Sequence, residues 1–235
     1  MTILILGGTA EARALATALG GQAVLSLSGV TKRPLRTPHR AGGFGGADGL
    51  ADYLVAQKIA ALVDATHPFA SQISQNAAKA AARTGVPILR LNRAAWRQRA
   101  EWQDVADMET AASALPRGAR AFLSIGSRSL APFLPREDVW FLTRSIEPPN
   151  RVPPTGEVIL ARPPFSLAAE TALMEQHKIT HLVSKNAGGS ATEAKLKAAS
   201  ALGITVIMVK RPRLPDVFEV ESVAQVLKWV ENQRG

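Results

Sequence analysis

Residues 2–19 read TILILGGTAEARALATAL, and this stretch decides the fold class of the chain. The apolar run 3–6 is typical of a buried strand, and the alanine-rich residues 10–19 have helical spacing. Gly7 and Gly8 stand between them at the position of a tight turn. Since strands that alternate with helices usually form a parallel sheet, the stretch predicts an α/β fold.

The same alternation continues along the chain and predicts parallel sheets flanked by helices. The predicted strands cover residues 3–6, 23–27, 61–65, 87–91, 121–125, 139–143, 157–161, 181–184 and 205–209. Residues 62–93 and 182–211 align as strand, loop, alanine-rich helix, strand and basic end. We therefore expect two similar α/β domains, 1–117 and 118–235, although any two β-α-β units share this general pattern.

Composition places the chain among ordinary globular proteins. Of its 235 residues, 46% are hydrophobic and 20% are charged, which excludes disorder and fibrous repeats. The absence of cysteine excludes disulfides, cysteine-bound metals and a thiolate nucleophile, and it fits a cytoplasmic location. The first residues lack the basic start of a signal peptide, and no apolar run approaches the roughly 18 residues of a membrane span. We expect no membrane partner.

The net charge indicates an anionic partner. Lys and Arg number 28 against 19 Asp and Glu, which gives +9 at pH 7. Aromatic residues make up 5% of the chain and no basic run is interleaved with them, so we expect no nucleic acid partner. A small molecule with several negative charges fits this balance best.

The turn after the first predicted strand is a candidate phosphate site. Gly7, Gly8, Thr9 and Ala10 lead into a helix, whose free N–H groups and positive end attract anions. Glycines would let a ligand approach the backbone closely. The pattern is neither G-x-G-x-x-G nor a Walker A sequence, and a plain tight turn explains it equally well.

The loop after the second predicted strand bears on the choice of cofactor. Enzymes that prefer NAD generally place an acidic residue here, whereas this chain has hydroxyls and two cations, at Ser28, Thr31, Lys32 and Arg33. If a dinucleotide binds here, these residues favour the 2′-phosphate of NADPH. The alternative is a solvated basic loop.

The stretch 64–70, DATHPFA, follows the third predicted strand at the edge where α/β sheets place ligands. We expect Asp64 and Thr66 to contact the cofactor there, although Thr66 also suits a helix cap. His67 has an ionisable ring that can donate a proton or a hydrogen bond to the substrate. A lone histidine is also compatible with a purely structural role.

Cations and further turns provide candidates for binding a substrate rich in carboxylates. Guanidinium groups pair with carboxylates through two parallel hydrogen bonds, and glycine turns bind anions through N–H groups. The candidates are Arg90, Arg93, Ser127, Arg144, Lys185, Asn186, Gly188, Gly189, Thr192 and Arg211. Exposed surface charge is the alternative for the arginines. The histidines have no spacing that indicates a metal site.

Three motifs together resemble the precorrin-6A reductase family of cobalamin biosynthesis. They are GGTAEAR at 7–13, DATHPFA at 64–70, and KNAGG at 185–189 with Thr192 and Lys195. The likeness spans nearly the whole chain, including Arg211-Pro212, and DATHPFA is its most specific piece. Ala187 stands where relatives often have serine, which puts a hydroxyl contact there in doubt.

The resemblance implies an NADPH-dependent oxidoreductase. Such an enzyme reduces the C18=C19 double bond of precorrin-6A to give precorrin-6B, with hydride to C19 and a proton to C18. The resemblance also implies two Rossmann-like domains with the active-site cleft between them. The N-terminal domain would bind NADPH, and the C-terminal domain would contribute to the cleft for the polycarboxylate tetrapyrrole. We expect a monomer.

Other functions stay open at this point. A cobalt-precorrin-6A reductase of the anaerobic route would carry the same motifs. A non-catalytic nucleotide-binding module would use the same turns and charge. A small-alcohol dehydrogenase would need a Tyr and Lys pair, and Lys58 lies five residues after Tyr53, off the same helical face.

Overall fold

The computed structural model describes residues 1–29 and 38–233, which form two compact units. One unit is Met1–Ala94 with Pro212–Gly235, and the other is Ala95–Arg211. In chain order the elements are β1 (Thr2–Leu6), α1 (Ala10–Leu19), β2 (Ala23–Leu27), β3 (His39–Ala41), α2 (Gly46–Ala56), β4 (Ile59–Asp64), α3 (Ser71–Thr84), β5 (Ile88–Leu91), β6 (Trp102–Val105), α4 (Met108–Ala114), β7 (Arg120–Ser124), β8 (Trp140–Ser145), β9 (Gly156–Leu160), α5 (Leu167–Gln176), β10 (His181–Lys185), α6 (Ala194–Ala201), β11 (Thr205–Val209), β12 (Phe218–Val220) and α7 (Val223–Asn232).

The first unit contains a six-stranded parallel sheet in the order β12-β5-β4-β1-β2-β3. Side chains alternate between its two faces along each strand. Ile3 and Ile5 pack on one face with residues of α1 and α7, whereas Leu4 and Leu6 pack on the other with residues of α2 and α3. Helices on both faces explain why residues 3–6 of β1 are all apolar.

The second unit repeats this architecture. Its six parallel strands have the order β6-β11-β10-β7-β8-β9, in which five strands are arranged as in the first sheet. The edge strand differs, because β6 is the first strand of its unit along the chain whereas β12 is the last. Phe122, Leu142 and Leu182 form a core there with Met174 of α5 and Leu196 of α6. The α/β class and the parallel sheets expected from the sequence are thus confirmed.

Side-chain caps explain where several helices begin. Thr9, Asp107 and Ser166 each accept a hydrogen bond from a backbone N–H in the first turn of α1, α4 and α5. Ser222 and Gln225 form a capping box at α7. Among the helices of the described ranges, none is both long and apolar enough to cross a membrane.

The predicted boundary between residues 117 and 118 does not coincide with the division between the two units. β6 precedes that boundary, yet it pairs with β11 in the second sheet. β12 lies near the C-terminus, yet it pairs with β5 in the first sheet. The chain therefore passes between the units twice, near residues 94 and 212.

Candidate functional site

The strand order places one candidate site in the first unit at the carboxyl ends of β1 and β4. These strands are neighbours, and the chain runs outward from them in opposite directions, through β2 and β3 on one side and β5 and β12 on the other. Ligands of open α/β sheets bind at the carboxyl ends of strands at such a reversal. The loops that begin at Gly7 and Ala65 both start there.

Gly7 and Gly8 have different reasons to be glycine. A Cβ on Gly7 would come within 2.5 Å of Leu25 Cδ1, and the Gly7 N–H donates to Ser26 O at 2.9 Å. Gly7 therefore lets β1 and β2 lie close together. Gly8 has a φ of +121°, which favours glycine, and the open space around its Cβ position would let a ligand approach the backbone closely.

Thr9 joins the two loops. Its hydroxyl donates to Ala65 O at 2.8 Å and accepts from Ala12 N at 3.0 Å. Thr9 is thus both the N-cap of α1 and a bridge to the end of β4. Ala10, the first residue of α1, is exposed at the positive end of the helix.

Asp64 is a positioning residue inside the first unit. It is 1% exposed, and its Oδ1 accepts from the N–H and the hydroxyl of Thr66, at 3.2 and 2.7 Å. Its Oδ2 accepts from Nε of Arg90, which is 3% exposed. Arg90 also donates to Pro215 O and to Glu219 at 2.7 Å. Asp64 and Arg90 therefore use their charges within the protein, and Asp64 acts on the loop through Thr66.

His67 is held by its own turn. Its Nδ1 accepts the Phe69 N–H at 3.2 Å, and the two rings lie 5.8 Å apart. Because a backbone N–H can only donate, this bond places the proton of the neutral ring on Nε2. The local structure thus prepares Nε2–H as a hydrogen-bond donor.

A pocket of the first unit brings several of these residues together. It is lined by Thr9, Glu11, Thr66, Pro68, Leu91 and Arg93. Arg93 follows β5, and its Nη1 donates to the Glu11 carboxylate at 2.8 Å. The pocket thus combines a helix N-terminus, two hydroxyls and a guanidinium group.

The sequence analysis missed Arg40, a residue of β3 that lies beside the end of β2. Ser28 is exposed after β2, while Thr31, Lys32 and Arg33 lie outside the described residues. Arg40 of β3 donates to Ser26 Oγ of β2 at 2.9 Å, which places a cation beside this edge. An arginine on a short strand with a mostly polar sequence gives no pattern that would have identified it.

The second sheet has its own reversal between β7 and β10. Ser127 and Ser129 form a short 3₁₀ turn after β7, and Lys185 ends β10. Lys185 Nζ donates to Ser129 Oγ at 2.8 Å. Burial lowers the pKa of Lys185 to about 8. The ammonium group therefore loses its proton as the pH rises through about 8.

The turn after β10 is fixed by contacts within the second unit. Asn186 exchanges two hydrogen bonds with the backbone of Trp96, whose ring N–H donates to Gly189 O at 3.1 Å. Arg211 donates to Asn186 O and Ala187 O, at 2.9 and 3.1 Å. Gly188 and Gly189 both have positive φ values, of 67° and 79°. Asn186 and Arg211 thus shape the turn.

Arg144 forms a buried ion pair rather than an exposed charge. Its guanidinium group donates to both carboxylate oxygens of Glu170 on α5, and one of these bonds measures 3.1 Å. Both side chains are nearly inaccessible, at 6% and 2% exposure. Thr192 lies in the turn before α6.

The structure thus groups the predicted residues in two sets, one in each unit. Thr9, Thr66 and Arg93 line one pocket in the first unit, and Lys185 contacts the turn that contains Ser127 in the second. Residues that the sequence analysis missed are Glu11, Arg40, Trp96, Ser129 and Glu170. Within residues 1–29 and 38–233, no cluster of three or more His, Asp or Glu side chains can hold a metal ion.

Comparisons with known proteins agree over nearly the full length. A family model described as precorrin-6x reductase CbiJ/CobK matches residues 2–231. The precorrin-6A reductase of Rhodococcus erythropolis is 51% identical over 240 residues, which cover 97% of this chain and 96% of that protein. The cobalt-precorrin-6A reductase of Priestia megaterium is 28% identical over 254 residues, which cover 98% of each.

A solved structure supports the same assignment. It is described as CobK precorrin-6A reductase, and it superposes with a TM-score of 0.93 at 41% identity. The match covers 99% of this chain and 97% of that chain. The resemblance carried by residues 7–13, 64–70 and 185–189 is thereby confirmed, as is the expected reductase function in cobalamin biosynthesis at the level of the family. The chain belongs to the precorrin-6x reductase CbiJ/CobK family.

Proposed function

We propose that this reductase uses NADPH to reduce the C18=C19 double bond of precorrin-6A, giving precorrin-6B. The observation that carries the proposal is the reversal of strand order between β1 and β4, with the Gly8 turn at one strand end and His67 beside the other. When bound, NADPH supplies the hydride that is added to C19. The residues of the chain bind and orient both molecules.

The first unit fits a dinucleotide. The exposed start of α1 and the open space at Gly8 suit the pyrophosphate, because N–H groups in the first helical turn have no intrahelical acceptor. Thr66, held by Asp64, and Arg93, paired with Glu11, line the adjoining pocket. We assign the cofactor to this unit, with Asp64 as a positioning residue.

The second unit offers cations to the tetrapyrrole carboxylates. Lys185 with Ser129, and Arg211 on the glycine turn, lie at the carboxyl edge of its sheet. The sequence analysis also named Arg90 and Arg144 as candidates for binding the substrate. Both already donate hydrogen bonds to carboxylates of the protein. We therefore assign the substrate contacts first to Lys185 and Arg211.

The metal-free substrate is favoured over the cobalt complex by similarity. Identity is 51% to the relative named precorrin-6A reductase and 28% to the relative named cobalt-precorrin-6A reductase. We propose His67 as the group that delivers the proton to C18, because the bond from the Phe69 N–H to Nδ1 leaves the proton of the neutral ring on Nε2. A monomer, a cytoplasmic location and the lack of a nucleic acid partner stay predictions from the sequence.

The direct test follows NADPH absorbance with the purified protein. We expect oxidation of NADPH when precorrin-6A is present, and none when it is omitted. Parallel reactions with cobalt-precorrin-6A compare kcat/KM for the two substrates. Binding of NADPH without turnover on either tetrapyrrole would indicate a non-catalytic nucleotide-binding module instead.

Replacing Gly8 by alanine should raise the Kd for NADPH about tenfold or more. A side chain at a φ of +121° strains the backbone by about 1–3 kcal/mol, and its methyl group would occupy the space that we assign to the pyrophosphate. Fluorescence titration of NADPH measures the effect. Gly20→Ala is the matched control, because Gly20 also has positive φ and open space but lies at the other end of α1. Equal Kd values for the two variants would contradict the assignment.

Raising the pH through about 8 should lower kcat/KM for the tetrapyrrole. The lowered pKa of Lys185 means that its ammonium group, and with it a carboxylate contact, is present below about 8 and lost above it. The pH profile of kcat/KM reports such groups of the free enzyme. Lys185→Arg, which stays charged, should flatten the profile between pH 8 and 9.5. An unchanged profile in this variant would remove Lys185 from substrate binding.

A further inference from the structure

Arg40 lies at the edge of the first sheet, where its guanidinium group packs on two aromatic rings. Its guanidinium carbon lies 3.8 Å from the Phe44 ring centroid and 5.2 Å from that of Tyr53. The two rings contact each other edge to face at 5.3 Å. Gly49 of α2 makes this possible, because a Cβ there would come within 1.8 Å of Phe44 O. The fold thus holds an aromatic surface directly beneath the cation.

Three uncharged oxygen atoms accept hydrogen bonds from the Arg40 guanidinium group and hold it in place. Nη1 donates to Ser26 Oγ and Gly42 O, at 2.9 and 3.0 Å, and Nη2 donates to Gly43 O at 3.0 Å. An arginine has five N–H donors, and these bonds use three of them. Within the described part of the chain, the N–H of Nε and the second N–H of Nη2 have no acceptor.

Among the described residues, Arg40 also has no carboxylate as a counter-ion. None of the ion pairs among residues 1–29 and 38–233 includes it. Arg90, Arg93 and Arg144 each contact a carboxylate. A rigid, half-buried cation with two open donors is suited to an anion with two acceptor oxygens, such as a phosphate.

The position of Arg40 in the sheet indicates which phosphate group of a dinucleotide it would contact. Register pairs Arg40 with Ser26, one residue before the end of β2. Ser26 in turn accepts the Gly7 N–H through its carbonyl, so Arg40 and the candidate pyrophosphate turn share one residue. In this topology the adenosine ribose lies at the end of the second strand. Resting on the proposed dinucleotide function, we propose that Arg40 binds the 2′-phosphate of NADPH and sets the preference over NADH.

Calorimetric titration of the full-length protein with NADP⁺ and NAD⁺ tests this role without turnover. Wild type should bind NADP⁺ more tightly. Arg40→Gln should raise the Kd for NADP⁺ by roughly 10- to 100-fold, since it removes charged hydrogen bonds, and should leave that for NAD⁺ within about twofold. Arg40→Lys should fall between, because it keeps the charge but loses the planar donor pair. An unchanged NAD⁺ affinity also shows that the variant is folded.

Lys79→Gln is the control, because this exposed residue of α3 loses the same charge in the same unit. Its Kd for both nucleotides should equal that of wild type. If Arg40→Gln weakens both nucleotides equally, Arg40 holds the turn or the pyrophosphate, and the proposal is wrong. No change for NADP⁺, or no preference for NADP⁺ in wild type, also overturns it. Failure of wild type to bind either nucleotide would instead overturn the proposed function.

Discussion

Replacement of Glu170 by alanine is expected to destabilise the protein by about 3–5 kcal/mol. The Glu170 carboxylate is the anion paired with Arg144, whose guanidinium group lies 3.8 Å from the Phe165 ring centroid. Without Glu170, Arg144 would be a buried cation that retains one long bond to Ser124 Oγ, at 3.4 Å. A charge in that environment is strongly disfavoured because the interior cannot replace its hydration. Urea denaturation of wild type and variant measures the difference.

Glu175→Ala is the matched control, since this glutamate is exposed on the same helix and forms none of the described ion pairs. It should cost less than about 1 kcal/mol. The double replacement Arg144→Met with Glu170→Leu should recover most of the lost stability, because it removes both charges together. A Glu170→Ala protein as stable as the control would show that the pair contributes little.

Replacement of His67 by asparagine should lower kcat at saturating substrate by about 10²- to 10⁴-fold, the range for loss of a general acid. Asparagine suits this test because its side-chain oxygen can accept the Phe69 N–H that His67 Nδ1 accepts now. The turn is kept, while the ring Nε2–H is lost. Single-turnover oxidation of NADPH separates this effect from slow product release.

The Kd for NADPH of the asparagine variant serves as the internal control and should stay within about twofold of wild type. A large rise in that Kd would mean that His67 acts through the shape of the turn. Full turnover at saturating substrate would exclude His67 as the proton donor. In that case Lys185, with its pKa of about 8, becomes the next donor to test.

The sequence predicted the central strands well and missed short strands at the edges. All nine predicted strands are present, within about two residues. β3, β6 and β12 were missed, because HRA, WQDV and FEV have only three or four residues each and contain no run of three apolar residues. Each lies at the edge of its sheet, where one side is unpaired and solvent relaxes the need for apolar side chains. Their weak patterns also explain why the predicted domain boundary differs from the observed division.

The candidate site was predictable where a residue type signals a backbone function. The sequence placed Gly8 and Thr9 in the turn before α1, and the structure shows a positive φ at Gly8 and the N-cap at Thr9. The partners of charged residues were not predictable, because they are distant in sequence. Arg144 and Glu170 are 26 residues apart, as are Asp64 and Arg90. The three-dimensional structure is needed to distinguish arginines that pair with buried carboxylates from an arginine, such as Arg40, whose N–H groups are not all bonded within the described residues.

The return of β12 to the first sheet has a consequence for how the protein is made. β12 and α7 supply Val220, Val226 and Val230 to the core built around Ile3 and Ile5. The N-terminal strands leave the ribosome early, but this core stays incomplete until β12 and α7 have been synthesised. Nascent chains therefore expose apolar surface through most of synthesis, and a premature stop codon shortly after Arg211 would leave β5 as an uncovered edge open to aggregation.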